Sequence, residues 1–425
     1  MPPIRSNMVH GAALSFALLA LLMSASGQSR RVLFIGNSYT QANNLPNMFR
    51  EVAISMGDTV VTQMVAPGGF TFQSHSTNST TLNAIDQGGW DHVVLQEQSQ
   101  RPSFPPEQVA QEVLPYASQL VARIRTTSPC AEPIFMMTWG RENGDQQNCA
   151  VYPPLCTYEG MQQRLWESYV LMAEQNDAHC APVGSVWRSY REAHQDAALY
   201  TDGSHPNVLG SFIAATGLYA TIFRRGCIGS SYAPPGIDAG VAEEVRALAS
   251  ATVLDSADTW NIGVNDPVAM GDFQVLAGSS VLFANNSIGA AEQWWYFGDG
   301  ASSIDADPLH TYAAPGTYTA SLVVQDACGR RDSTSLVVDL STVGLPGIIP
   351  NGFAVRVVDN TLLVEHPPMQ GHVALLDATG RRLAELPVNG AGPSRSPLPI
   401  GVSGTYLWQL NARDGARFGG RFIVP

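Results

Sequence analysis

Five near-continuous apolar runs, separated by helix-patterned stretches, constrain the fold of this chain more than any other feature. They occupy residues 32–35, 60–65, 92–95, 134–138 and 182–186. A strand with one solvated face alternates apolar and polar residues, whereas a strand apolar throughout must be covered on both faces. Between the runs, Val109, Val113, Ala117, Leu120, Val121 and Ile124 recur at helical spacing after Pro105-Pro106. Residues 158–178 and 207–223 also read as helices. Strand–helix repetition from Arg31 to about Ser256 predicts an α/β domain whose parallel sheet carries helices on both sides.

After about Pro267 the pattern changes to short alternating runs separated by Gly, Asp, Asn and Pro, which predicts all-β modules. A length of 425 residues fits two to three domains. The basic residues number 23 and all are Arg, so a lysine Schiff base and a P-loop lysine are excluded. A formal charge of -13 argues against nucleic acid or an anionic membrane as partner.

The N-terminus carries Arg5, then an apolar run over residues 12–23, then Ala25-Ser26-Gly27. A charge, a short apolar core and small residues at the cleavage site read as a secretory signal peptide over residues 1–27. No later segment is long and apolar enough to span a bilayer, so a soluble, exported mature protein is expected. Six cysteines suit an oxidising destination. Cys149 and Cys156 bracket a Pro-containing loop and are the expected pair. Cys130 and Cys180, each just before an expected strand, could bridge neighbouring strand starts. The spacings match no zinc template.

Two motifs carry the chemistry. Gly36-Asn37-Ser38-Tyr39-Thr40 directly follows the first apolar run, and Thr201-Asp202-Gly203-Ser204-His205-Pro206 directly precedes the last helix of the α/β pattern. A serine at the carboxyl end of a buried strand sits where ligands bind in open α/β sheets. An Asp and a His three residues apart can supply a general base and its orienting carboxylate. The first motif with its flanks, Val32-Leu33-Phe34-Ile35-Gly36-Asn37-Ser38, resembles block one of the SGNH (GDSL-like) hydrolases. The second resembles their closing Asp-x-x-His-Pro block. The resemblance covers residues 28–260 and implies a flavodoxin-like three-layer α/β/α sandwich with a parallel sheet.

It implies Ser38 as nucleophile, His205 as base then acid, and Asp202 as the orienting carboxylate, with no metal or cofactor. It also implies an oxyanion hole built from the Ser38 N–H, a block-two glycine and a side-chain amide. Ala66-Pro67-Gly68-Gly69-Phe70 supplies the glycine, Gly69 being favoured over Gly68. Where most of the family carries Gly-x-Asn-Asp, this chain reads Gln96-Glu97-Gln98-Ser99. That block is similar to a secreted SGNH branch and to some carbohydrate acetylesterases. Gln96 is the expected amide donor, with Gln98 as the alternative. Trp139 and Arg141, ending the fourth run, are read either as rim residues or as a core Trp and a solvated Arg. His75 is read as structural.

Two further resemblances cover the β-rich part. Trp295-Tyr296-Phe297-Gly298-Asp299-Gly300, His310-Thr311-Tyr312 and Pro315-Gly316-Thr317-Tyr318-Thr319, in that order, resemble a PKD-type β-sandwich over residues 268–341. Trp295 and Tyr318 are there expected in the sandwich core rather than on a ligand platform. Residues 343–425, with Val373-Ala374-Leu375-Leu376-Asp377-Ala378-Thr379-Gly380, Gly404-Thr405-Tyr406-Leu407 and Arg421-Phe422-Ile423-Val424, resemble the C-terminal sorting domain of the Bacteroidetes type IX secretion system. That secretion machinery is then an expected partner, and a second accessory β-sandwich is the alternative. Two small all-β sandwich modules would thus follow the hydrolase domain. The expected activity is a secreted serine esterase acting on an ester substrate, with acetylated polysaccharide as the favoured case. A lipase or lysophospholipase, and a non-catalytic surface glycan-binding protein, are the alternatives.

Overall fold

The computed structural model describes residues 29–276, 279–340, 354–358, 361–366, 368–376, 382–390, 393–397, 404–412 and 417–424. The expected signal peptide lies outside the described residues. Two compact units divide the chain, one through Asn265 and one from Asp266.

The first unit is an α/β fold on one parallel sheet. Its strands are β1 (Ser29–Ile35), β2 (Thr59–Val65), β3 (His92–Leu95), β4 (Glu132–Met136) and β5 (His179–Ala181), in the order β2-β1-β3-β4-β5. Ten α-helices are described in this unit: α1 (Ser38–Gln41), α2 (Leu45–Ser55), α3 (Phe72–Thr77), α4 (Ser79–Asp86), α5 (Pro106–Glu112), α6 (Leu114–Thr127), α7 (Tyr158–Gln175), α8 (Val183–Ala193), α9 (Val208–Phe223) and α10 (Ala239–Leu254). Alternate residues of β1 point to opposite layers. Val32 and Phe34 pack with α2, α8, α9 and α10, whereas Leu33 and Ile35 pack with α3 to α7. Burial on both faces is why β1 (from Val32), β3 and β4 read as apolar runs, whereas the edge strand β2 leaves Val61 and Met64 exposed. The strand order is flavodoxin-like: the chain goes from β1 out to β2, then back past β1 to β3. The reversal opens a crevice at the carboxyl ends of β1 and β3, where Ile35 and Leu95 are in register.

One expected strand is a helix. Residues 182–186 begin α8, whose buried Val183, Val186, Trp187 and Tyr190 recur at helical spacing. The strand lies just upstream, as the three-residue β5. This overturns the proposed Cys130–Cys180 bridge as well. Cys180 is a free, buried thiol inside β5, in register with Phe135 and therefore a strand's length beyond Cys130. Cys149 and Cys156 are disulfide-bonded. The 105–127 stretch forms two helices rather than one, because Val113 leaves helical geometry (φ -121°, ψ -58°) and Pro115 opens the second. α9 is capped by the Asn207 side chain, which accepts from Gly210 N–H at 3.0 Å, and it is buried almost throughout.

The second unit is antiparallel β. One pair of sheets joins β6 (Gly271–Val275), β7 (Ser280–Asn285), β8 (Glu292–Tyr296), β9 (Ser302–Ser303), β10 (Leu309–Thr311), β11 (Thr317–Gln325) and β12 (Arg331–Asp339) in the orders β10-β7-β6 and β12-β11-β8-β9. Trp295 is fully buried between them beside Phe283 and Phe297, and Tyr318 is half-buried on Tyr312. A further pair contains β13 (Ala354–Val358), β14 (Thr361–Glu365), β15 (Met369–Leu376), β16 (Arg382–Gly390), β17 (Ser394–Pro397), β18 (Gly404–Ala412) and β19 (Arg417–Val424), ordered β13-β14-β17 and β16-β15-β18-β19. Leu362, Val364, Val373, Leu375, Val388 and Leu410 form its core. No helix among the described residues is long and apolar enough to cross a membrane.

Candidate active site

Ser38 stands at the mouth of the crevice between β1 and β3. The strand ends at Ile35, and Asn37 turns the chain into α1 by capping it, its side-chain oxygen accepting from Tyr39 N–H at 3.1 Å. Gly36 permits this turn. A Cβ there would come within 2.3 Å of the Thr40 hydroxyl and 2.7 Å of Gln96 Oε1. The Asn37 amide also donates to Phe70 O at 3.0 Å, which brings the Gly68-Gly69 loop alongside the serine turn. That loop closes with Phe70 N–H donating to Pro67 O at 3.2 Å. Gly69 takes the left-handed position (φ +71°) that such a turn requires of its third residue.

The Thr201–Pro206 segment reaches Ser38 from the entry to α9. Ser38 Oγ and His205 Nε2 are 2.9 Å apart, and His205 Nδ1 and Asp202 Oδ2 are 2.7 Å apart. A carboxylate can only accept, so Nδ1 carries the proton and Nε2 turns its lone pair to the Ser38 hydroxyl. Asp202 Oδ1 additionally accepts from the N–H groups of His205 (2.7 Å) and Ser204 (3.0 Å). Those bonds, led by the His205 N–H, hold the Asp202 carboxyl below the usual range and keep it ionised. The side chains of His205 and Asp202 are 39% and 54% exposed, so the pair lies open to solvent and to a bulky substrate. Ser38, His205 and Asp202 thus form one hydrogen-bonded chain across residues far apart in sequence.

The expected amide donors are turned elsewhere. Gln96 is fully buried beneath the serine turn, where its Oε1 accepts from Asn37 N–H at 3.0 Å and from the Thr40 hydroxyl at 2.8 Å. Asn37 N–H can only donate, which settles which end of the Gln96 amide is oxygen. The Nε2 end then donates to the Glu97 carbonyl. Gln98 caps the turn at Arg101, accepting from the N–H groups of Gln100 (2.9 Å) and Arg101 (3.2 Å). Its Nε2 donates to Gln100 Oε1 at 3.1 Å. Burial under the turn therefore makes Gln96 a support for the Ser38 turn, with its amide engaged there instead of facing the crevice, and Gln98 is engaged in its own loop.

Three further side chains support these turns in ways their sequence neighbourhoods do not announce. His75 is fully buried; its Nε2–H donates to Gly36 O at 2.8 Å and its Nδ1 meets the Thr81 hydroxyl at 2.8 Å. Burial pushes its pKa down, so it stays neutral while holding the turn. Glu97 is fully buried too, and accepts from Phe72 N–H at 2.9 Å and Gln98 N–H at 2.5 Å, tying the glycine loop's exit to the end of β3. Burial raises its carboxyl to about 7. Finally, Tyr39 stacks on Trp139 (4.9 Å between centroids) and Trp139 on Trp187 (4.1 Å). Trp139 is completely buried and is core, not rim. Arg141 is partly exposed and paired with buried Asp145 at 3.2 Å.

Comparison with known proteins adds the following. A family model described as PKD domain matches residues 264–339. Collagenase ColA of Bacillus cereus is 44% identical over 46 residues, which are 10% of this chain and 5% of the collagenase. The chain thus spans a small fraction of the curated relative it matches. A DUF4886 family protein of Bacteroides uniformis is similar in structure at 18% identity, over 54% of this chain and 96% of that one, with a TM-score of 0.48. A putative SGNH hydrolase of Slackia heliotrinireducens is similar at 25% identity, over 46% of this chain and 100% of that one, with a TM-score of 0.38.

Proposed function

We propose that the α/β unit is a serine esterase of the SGNH type that cleaves short acyl groups, acetyl above all, from a carbohydrate. The observation that supports this is the unbroken chain Ser38 Oγ–His205 Nε2, His205 Nδ1–Asp202 Oδ2 at the sheet's crevice. Ser38 attacks the ester carbonyl while His205 takes the hydroxyl proton, and Asp202 stabilises the resulting imidazolium. His205 then gives that proton to the leaving alkoxide, releasing the alcohol and leaving the acyl group on Ser38. Water, deprotonated by His205, hydrolyses the acyl-enzyme, and the proton returns to Ser38 as the acid departs. Backbone donors, the N–H groups of Ser38 and Gly69, stabilise the oxyanion, each worth roughly 3 kcal/mol of barrier.

Two features favour a carbohydrate alcohol. The catalytic pair is open to solvent rather than enclosed. On the outer face of β8, Trp294 and the half-exposed Tyr296 stand two residues apart, and Tyr296 is in register with Ser302 and Ser321. Aromatic rings beside hydroxyls suit the apolar face and polar edge of a sugar. Export by an N-terminal signal and a C-terminal type IX sorting domain completes the reading, and mass spectrometry of the chain exported by a host with that system tests both ends. The deciding experiment is a panel of p-nitrophenyl esters and acetylated polysaccharides on wild type, Ser38→Ala and His205→Ala. Hydrolysis of short esters that both variants lose is expected. Full activity in Ser38→Ala excludes the serine mechanism, and an inactive wild type favours a glycan-binding protein.

A further inference from the structure

Ser38 and His205 lie on separate segments, and catalysis needs their separation held to a fraction of an ångström. The His205 loop carries its own internal bonds, such as Thr201 N–H to His205 O at 3.0 Å, but these set its shape and not its distance from the serine. Two bonds anchor its flanks to neighbouring segments: Glu142 N–H to Gly203 O at 2.9 Å, and the Asn43 amide to Pro206 O at 3.1 Å. At Ser204, which precedes His205, the side-chain contact comes from Tyr39, the residue adjoining Ser38. The Tyr39 hydroxyl is 2.6 Å from Ser204 Oγ, and its ring meets the His205 imidazole edge-on at 5.3 Å between centroids.

Tyr39 can serve as a reference point because it is itself immobilised. It is 3% exposed and lies parallel to Trp139 within 4°. Trp139 in turn donates through Nε1 to the Ser204 carbonyl at 3.1 Å. Ser204 is therefore gripped at three atoms: its N–H by Asp202, its hydroxyl by Tyr39 and its carbonyl by Trp139.

We infer that Tyr39 is a positioning residue that locks the nucleophile turn to the histidine loop through Ser204, setting the serine–histidine distance in the absence of substrate. This rests on the esterase reading of Ser38, His205 and Asp202. Tyr39→Phe keeps the stack and deletes only the hydroxyl, and Ser204→Ala deletes the same bond from the other side. Each single variant should lower kcat roughly tenfold on p-nitrophenyl acetate with KM within about twofold of wild type. The double variant should be no slower than the slower single one, because both remove the Tyr39–Ser204 bond. Labelling of Ser38 by a fluorophosphonate probe should slow in parallel. Should Tyr39→Phe fail to fold, Ser204→Ala carries the test by itself.

Unchanged kcat and labelling in folded Tyr39→Phe or Ser204→Ala overturns the inference. So do losses that multiply in the double variant, or a rise in KM with kcat unchanged. A wild type that neither hydrolyses the ester nor labels at Ser38 instead overturns the esterase reading, and the inference with it.

Discussion

Replacing Gln96 with alanine should weaken the α/β unit as well as its activity, and the pairing of the two losses is what identifies the residue's role. Asn37 N–H, which is almost completely buried, loses its acceptor. An unsatisfied buried donor costs about 1–3 kcal/mol. The one methylene removed with the amide from a fully buried side chain adds roughly 0.8 kcal/mol. Together these come to about 3 kcal/mol. At about 2–4 °C per kcal/mol for a unit of this size, the melting temperature should drop by roughly 6–12 °C. With the serine turn released, kcat should also fall, by roughly tenfold to a hundredfold. Tryptophan fluorescence on heating and p-nitrophenyl acetate kinetics, both on the full chain, read the two quantities. A side chain donating into the oxyanion hole would instead lose about a hundredfold to a thousandfold in kcat at unchanged stability. That second pattern would refute the support role derived from the burial and bonding of Gln96.

Two buried groups should give opposing pH slopes. Glu97, raised by burial from 4.5 to about 7, holds a proton in the folded state that the unfolded chain releases, so its contribution is full below pH 4.5 and lost as pH rises through 7. His92 packs among Glu132, Arg30, His179 and Arg224, and burial lowers it from 6.5 to about 3. Its contribution is full above pH 6.5 and lost as pH falls toward 3. Urea denaturation between pH 4.5 and 6.5 should therefore show stability rising with pH in Glu97→Gln and falling in His92→Gln, relative to wild type; identical slopes in all three would refute both assignments. On the outer face of β8, Trp294→Ala with Tyr296→Ala should lower hydrolysis of acetylated polysaccharide and leave soluble esters untouched. Equal loss on both substrates would mean the pair supports folding rather than polymer binding.

The architecture was legible wherever burial wrote a period into the chain. Strands covered on both faces must be apolar throughout, so β1, β3 and β4 stood out, the edge strand β2 kept an apolar run despite its exposed Val61 and Met64, and α9 announced itself through Asn207 and a long apolar run. β5 escaped because three residues are too few to show a period, and the apolar residues just after it belong to the buried face of α8. The candidate site was legible at Ser38, Asp202 and His205, which the fold brings into one hydrogen-bonded chain, because a turn after a strand and a short Asp–His spacing are local patterns. What tertiary structure decided is where long side chains point. Gln96 looks like a donor in sequence, but the parallel pairing of β1 with β3 sets the Asn37 N–H against its oxygen and turns its amide away from the crevice. His75 lies in no motif, and the motifs that hold Tyr39 and Glu97 say nothing of their partners, since Gly36 O, the Ser204 hydroxyl and Phe72 N–H each lie many residues away. The sequence by itself determined the layers, the crevice and the candidate trio of Ser38, Asp202 and His205. Only the folded chain, by burying polar side chains that must then find partners, decided which residues hold that trio in place.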